Sequence, residues 1–114
     1  MSSLLDTEIL DELIDLSNEP DFMQRLVQGF IKDAEFSIHK IQQDYERNRD
    51  DDMLAQLHAL KGSCMNIGAA SLVDLTSHIH TTVKNNDKTI LPQLLKQLES
   101  RFDDTTKALF KYIE

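Results

Sequence analysis

Apolar residues recur at helical spacing along almost the whole chain, in five stretches separated by short polar breaks. Steps of three and four residues are typical of amphipathic α-helices. The first stretch is short and follows Asp6 or Thr7, either of which can cap a helix. Its apolar positions are Leu10, Leu13, Ile14 and Leu16. The second is the longest, with one stripe formed by Met23, Leu26, Val27, Phe30, Ile31, Ala34, Ile38, Ile41 and Tyr45.

The remaining three stretches are joined by short breaks that define how the helices connect. Residues 50–52 are three consecutive aspartates, predicted to cap the third helix, and Gly68 is well placed to end it in a left-handed conformation. Because so few residues follow Gly68 before the fourth helix, helices three and four are predicted to form an antiparallel hairpin. Pro92 fits only in the first turn of the last helix.

The organisation of these elements predicts an all-α fold. No alternating strand pattern, internal repeat, low-complexity stretch or linker interrupts the chain. A length of 114 residues is that of one domain and is long enough to bury a core. We therefore predict a single domain over residues 1–114, an antiparallel, up-down four-helix bundle with a short additional N-terminal helix.

The charge balance excludes several classes of partner. Twenty acidic and twelve basic side chains give a net charge of −8, and such a surface repels nucleic-acid phosphates and anionic lipid. The one cysteine, Cys64, can form neither an internal disulfide nor a thiolate zinc cluster. No membrane span is present, and residues 1–6 lack the features of a signal peptide, so the expected compartment is the cytoplasm.

One segment of the third helix is chemically unusual. His58 and Lys61 lie on a stripe beside the apolar face, and Gly62 follows His58 by one turn. Glycine inside a helix costs about 1 kcal/mol relative to alanine, which suggests that something must approach the helix surface here. Imidazole is a nucleophile near neutral pH, and a lysine beside it can neutralise phosphate oxygens. These residue types indicate a phosphoryl-accepting site.

The segment over residues 58–63, His-Ala-Leu-Lys-Gly-Ser, followed by Asn-Ile-Gly-Ala over residues 66–69, resembles the signature of histidine phosphotransfer domains. These domains act in multistep two-component phosphorelays. The resemblance is strict over about a dozen residues, and the helix order extends it loosely over most of the chain. One departure is visible, since many relatives carry a glutamate late in the fourth helix where this chain has His78 and His80.

The resemblance implies a function and a set of partners. His58 would be phosphorylated, Lys61 would assist the phosphoryl group, and Gly62 would give a receiver domain access. A receiver aspartate would donate the phosphoryl group and another would accept it, with a hybrid sensor histidine kinase upstream. The receiver would supply the metal and most of the catalysis. The chain would be a monomeric carrier without kinase activity of its own, and no cofactor or metal site is expected in it.

Other interpretations of these residues remain open. A helical-bundle adaptor could bind a protein partner through an apolar groove without chemistry. A metal-carboxylate bundle enzyme would need paired Glu-x-x-His motifs, which the sequence lacks. His78 and His80 point about 200° apart on a helix and cannot chelate one ion. Cys64 is predicted to be a buried apolar residue. One or two residues near the start of the second helix could remain exposed as a docking patch: Phe22, Met23, Val27 and Phe30.

Overall fold

Four long helices and one short one form the protein in the computed structural model, which describes residues 3–114. Met1 and Ser2, the first residues of the segment for which no signal peptide is predicted, lie outside the described residues. The helices are α1 (Thr7–Leu16), α2 (Phe22–Glu46), α3 (Asp50–Ile67), α4 (Ala70–Lys84) and α5 (Leu91–Ile113). Residues 3–114 contain no β-strand. The all-helical prediction is therefore confirmed.

The long helices form a closed ring of neighbours. α2 packs against α3 and α5, α3 packs against α4, and α4 packs against α5. The apolar stripes of all four meet in one core, as the helical periodicity predicts. The result is a four-helix bundle with principal extents of 45 × 27 × 18 Å.

The short helix α1 packs across one end of the bundle, mainly against α3. Asp6 caps it as predicted, because its carboxylate accepts hydrogen bonds from the backbone N–H groups of Glu8 and Ile9 at 3.1 and 3.5 Å. The predicted apolar face is only partly buried. Leu10 is fully buried, but Ile14 and Leu16 are exposed. A helix with one main neighbour can bury only the side that faces it.

The prediction that residues 50–52 cap α3 is wrong. Arg49 is the capping residue, no side chain caps the helix, and the three aspartates form the first helical turn. In that turn their charges still complement the positive end of the helix dipole. Asp50 also accepts a hydrogen bond from Lys88 Nζ at 3.1 Å, which ties the start of α3 to the loop before α5.

Gly68 makes the tight turn between α3 and α4, and it holds the N-terminal segment. Its φ of 75° is left-handed, as predicted. The backbone N–H of Asp6 donates to the Gly68 carbonyl at 2.7 Å, and that of Ser71 donates to the Leu4 carbonyl at 3.3 Å. A Cβ at position 68 would lie 2.8 Å from the Asp6 carbonyl oxygen. The α3–α4 hairpin therefore depends on glycine at this position.

Replacing Gly68 by Ala is expected to destabilise the fold by about 2 kcal/mol or more. A left-handed conformation costs a residue with a Cβ about 1–2 kcal/mol, and the contact with backbone adds to that cost. The urea unfolding midpoint measures the loss. Gly29→Ala is the matched control, because its added Cβ would have no atom within 4 Å apart from the adjacent residues and the backbone of its own helix. A Gly68→Ala protein as stable as the wild type would contradict this account of the turn.

Candidate functional site

The middle of α3 presents His58 to solvent on a rigid support. Leu57 and Leu60 are almost completely buried on either side of it in sequence, so the helix is fixed to the core beneath the imidazole. His58 itself is exposed. A packed helix that carries an exposed imidazole gives a partner a defined target, since the scaffold fixes the backbone from which the side chain extends.

Gly62 leaves an open approach one turn beyond His58. Apart from the adjacent residues and the backbone of α3 itself, no atom lies within 4 Å of the place where its Cβ would be, so close packing against another helix does not explain the glycine. Met65 follows on the same stripe, and 53% of it is exposed. The stripe from His58 to Met65 is thus an accessible surface with a gap in its side-chain cover at Gly62.

His58 and Lys61 line one small cleft between α3 and α4, with a volume of about 150 Å³. Gly62 does not line it and lies further along the exposed stripe. The α4 wall of the cleft consists of Thr76, Ser77, His80 and Thr81. The structure therefore brings two of the predicted site residues together in the cleft and places the third beside it.

His80 also lines this cleft, and the sequence alone did not reveal that it lies beside His58. The spacing of the two histidines around Gly68 could have indicated this proximity. His58 lies ten residues before Gly68, and His80 lies twelve residues after it. Two antiparallel helices joined by so short a turn place such positions at nearly the same level. His78, two residues away on α4, is exposed and does not line the cleft.

The electrostatic environment of the cleft is basic, although the whole chain is acidic. The pKa of His80 is lowered from its usual value, first by burial and then by electrostatic repulsion from Lys84, His58 and Lys61. A histidine whose protonation is opposed by its neighbours reports a local positive potential. Such a potential favours an anionic group such as a phosphoryl group.

Cys64 lies under this surface and takes no part in it. The side chain is buried, as predicted, and burial raises the pKa of its thiol to about 12. The thiolate is the reactive form of cysteine, so a thiol held protonated in the core is a poor nucleophile. Residue 64 is thus a packing residue of α3.

The possible docking patch near the start of α2 is not exposed. Met23, Val27 and Phe30 are buried, and Phe22 is half-buried. The reason is that α2 packs against both α3 and α5, so its apolar stripe is covered on two sides. The exposed apolar residue on the His58 stripe is Met65 instead.

The described residues contain no group of three or more histidine, cysteine, aspartate or glutamate side chains placed to hold a metal ion. Within residues 3–114, none of the helices is both long and apolar enough to cross a membrane.

Comparison with known proteins identifies the family. The Hpt domain model matches residues 25–108. Histidine-containing phosphotransfer protein B from Pseudomonas aeruginosa superposes with a TM-score of 0.87 at 18% identity, over 99% of this chain and 96% of that one. A protein from rice, provisionally described as a histidine-containing phosphotransfer protein, superposes with a TM-score of 0.80 at 24% identity, over 97% and 86% of the two chains. A search of curated protein sequences finds no match.

At these identities the two solved structures establish the fold, and the family model adds the sequence signature. The matched region includes the whole of α3 and α4 and therefore the cleft around His58. The chain belongs to the Hpt domain family, whose members carry phosphoryl groups in two-component phosphorelays.

Proposed function

We propose that this chain accepts a phosphoryl group on His58 from the aspartyl phosphate of one receiver domain and passes it to the aspartate of another. The observation that carries the proposal is the exposed imidazole in the middle of α3, with open space at Gly62 one turn away. A phosphoryl carrier needs this arrangement, because its histidine must enter the active site of a bulky partner.

The proposed step is an in-line displacement at phosphorus. The lone pair of a ring nitrogen of His58 forms the new N–P bond. The P–O bond to the donor aspartate breaks, and its electron pair returns to the carboxylate oxygen. The proton on the other ring nitrogen stays on the ring, so that a neutral imidazole can leave in the next transfer. In the reverse sense, a second receiver aspartate attacks the phosphorus and the imidazole leaves with the N–P electron pair.

In this proposal the chain positions the histidine and supplies positive charge beside it, and the receiver supplies the metal ion and the acidic pocket. The basic cleft around His58 supports that division, since Lys61 lies beside the position that the phosphoryl oxygens would occupy. The chain then has no need to bind ATP and acts downstream of a hybrid sensor histidine kinase. We place it in the cytoplasm with its receivers, as a monomer that meets successive partners.

We also propose that residues 1–114 act as one domain. The buried residues of α2, α3, α4 and α5 belong to a single core, and Leu10 of α1 joins it. A unit with one core folds and binds as a whole.

A relay assay with two receivers tests the function. A receiver carrying a radioactive phosphoryl group on its aspartate is mixed with this chain, and a second receiver is then added. The expected result is label on the chain, followed by label on the second receiver. Receivers that bind the chain without any transfer of label would support the adaptor interpretation and overturn the carrier.

Lys61→Ala is expected to slow phosphotransfer several-fold without abolishing it. A half-exposed ammonium contributes up to about 1 kcal/mol to an ionic contact, which corresponds to a factor of about five in rate. Rapid-quench measurement at low ionic strength gives the rate. Lys96→Ala controls for the change in net charge, because Lys96 is exposed on α5 and does not line the cleft. Equal rates for the two variants would remove Lys61 from the mechanism.

A further inference from the structure

A second histidine faces the proposed phosphoryl position from the opposite helix. His80 on α4 lines the same cleft as His58 and Lys61, and it is half-buried there. The cleft is formed by α3 and α4 alone, since no residue of α5 lines it. A phosphoryl group on His58 that entered this cleft would therefore lie against the His80 imidazole.

The charged groups that lower the pKa of His80 are basic side chains. Lys84 lies one turn further along α4, and His58 and Lys61 face it from α3. Burial and repulsion from these basic neighbours together lower the pKa of His80 in the unphosphorylated protein. At neutral pH the ring is therefore mostly uncharged, and it gains a proton only as the solution becomes acidic.

We propose that His80 is a phosphoryl-facing residue that takes up a proton when His58 is phosphorylated, so that the carrier is loaded more fully at mildly acidic pH. This inference rests on the proposed function of His58. It gives His80 a positioning and electrostatic role toward the phosphoryl group, distinct from that of the permanently charged Lys61.

The sign of the effect follows from the charge that phosphorylation adds. A phosphoryl group brings a charge of about −1.5 to −2 near neutral pH. That charge outweighs the repulsion from the neighbouring cations, so protonated His80 becomes favourable and can donate a charge-assisted hydrogen bond to a phosphoryl oxygen. Phosphorylation thus raises the pKa of His80. By linkage, protonation of His80 favours phosphorylation by the same factor.

Loading depends on the state of His80 only within a limited pH window. This window lies between the lowered pKa of His80 in the unphosphorylated form and its raised pKa in the phosphorylated form. Above the window His80 is neutral in both forms, and below it His80 is protonated in both. Within the window, the loading equilibrium rises as the pH falls. A rise of one pKa unit on phosphorylation corresponds to about a tenfold increase in loading across the window.

The phosphoryl group that His58 accepts and the proton that His80 takes up come from different sources. The N–P bond forms at His58 while the bond between phosphorus and the donor breaks. The additional proton comes from the solvent and binds the free ring nitrogen of His80. No further reactant is needed.

The first test follows the imidazole signals by NMR. The chain is treated with phosphoramidate, whose P–N bond breaks with release of ammonia. The histidine titrations are then compared with those of the untreated protein. We expect the pKa of His80 to rise by about one unit. Phosphorylated His58 with an unmoved His80 titration would overturn this inference alone. Failure of His58 to accept phosphate would overturn the proposed function as well.

The second test compares loading by a phosphorylated receiver at about pH 8 and about pH 6, the range in which histidines titrate. His80→Gln keeps a polar side chain but cannot take up the proton. The ratio of wild-type loading to His80→Gln loading is expected to rise up to about tenfold as the pH falls. Taking this ratio also cancels the pH dependence of the receiver itself. His78→Gln is the matched control on the same helix. A ratio that does not change with pH would contradict the inference.

Discussion

Replacing His58 by Gln is expected to abolish phosphorylation of the chain by both phosphoramidate and a phosphorylated receiver. Glutamine keeps a polar side chain of similar reach but has no ring nitrogen that can form an N–P bond. The fold is expected to remain, because the side chain is exposed and such substitutions change the stability by about 0.5 kcal/mol or less. Phosphate incorporation and the urea unfolding midpoint are measured on the same sample.

The other histidines provide the controls for this variant. His39 and His78 are exposed and do not line the His58 cleft, so His39→Gln and His78→Gln proteins should be phosphorylated like the wild type. The modification should be labile in acid and stable in base, as expected of an N–P bond. Phosphate that persists in His58→Gln, or disappears in either control, would show that the acceptor is another residue.

The Gly62→Gln variant tests whether position 62 controls the access of a protein partner to His58, as distinct from the chemical reactivity of the imidazole. Helical side chains lean toward the N-terminus of their helix, so a glutamine at position 62 would extend toward His58. The receiver-driven rate is expected to fall about a hundredfold, because a displacement of about 1 Å from the reactive geometry can cost that much. Phosphoramidate is small and should phosphorylate the variant at the wild-type rate.

Gly62→Ala is the matched control for the helix itself. The open space around position 62 admits a methyl group, so this variant should stabilise the helix by up to about 1 kcal/mol and keep most of the transfer rate. Wild-type rates with both donors in Gly62→Gln would mean that receivers dock elsewhere on the surface. Loss of both rates would mean that the substitution disturbs His58 directly.

The helices could be predicted from the sequence because their buried faces repeat regularly. The stripe of α2 is buried at Met23, Val27 and Phe30, and Gly68 adopts the left-handed conformation that its place in the sequence predicts. Local signals of this kind depend on the backbone and on one buried face. They are therefore readable without knowledge of the neighbouring helices.

What the sequence did not reveal depends on how many neighbours each helix has. Leu16 continues an apolar pattern but is 77% exposed, because α1 has one main neighbour. Phe30 was a possible docking residue but is buried, because α2 has two. The position of His80 beside His58 can be deduced from the α3–α4 hairpin only when the register of the two helices is known.

The central claim is that a receiver aspartate donates its phosphoryl group to His58. The most direct measurement is to incubate the chain with a phosphorylated receiver, digest it under neutral or basic conditions that preserve N–P bonds, and locate the phosphate by mass spectrometry. We predict phosphate on His58 and on no other residue, and its disappearance when a second, unphosphorylated receiver is added. Phosphate on a different residue, or none on a chain that demonstrably binds the receiver, would contradict the account.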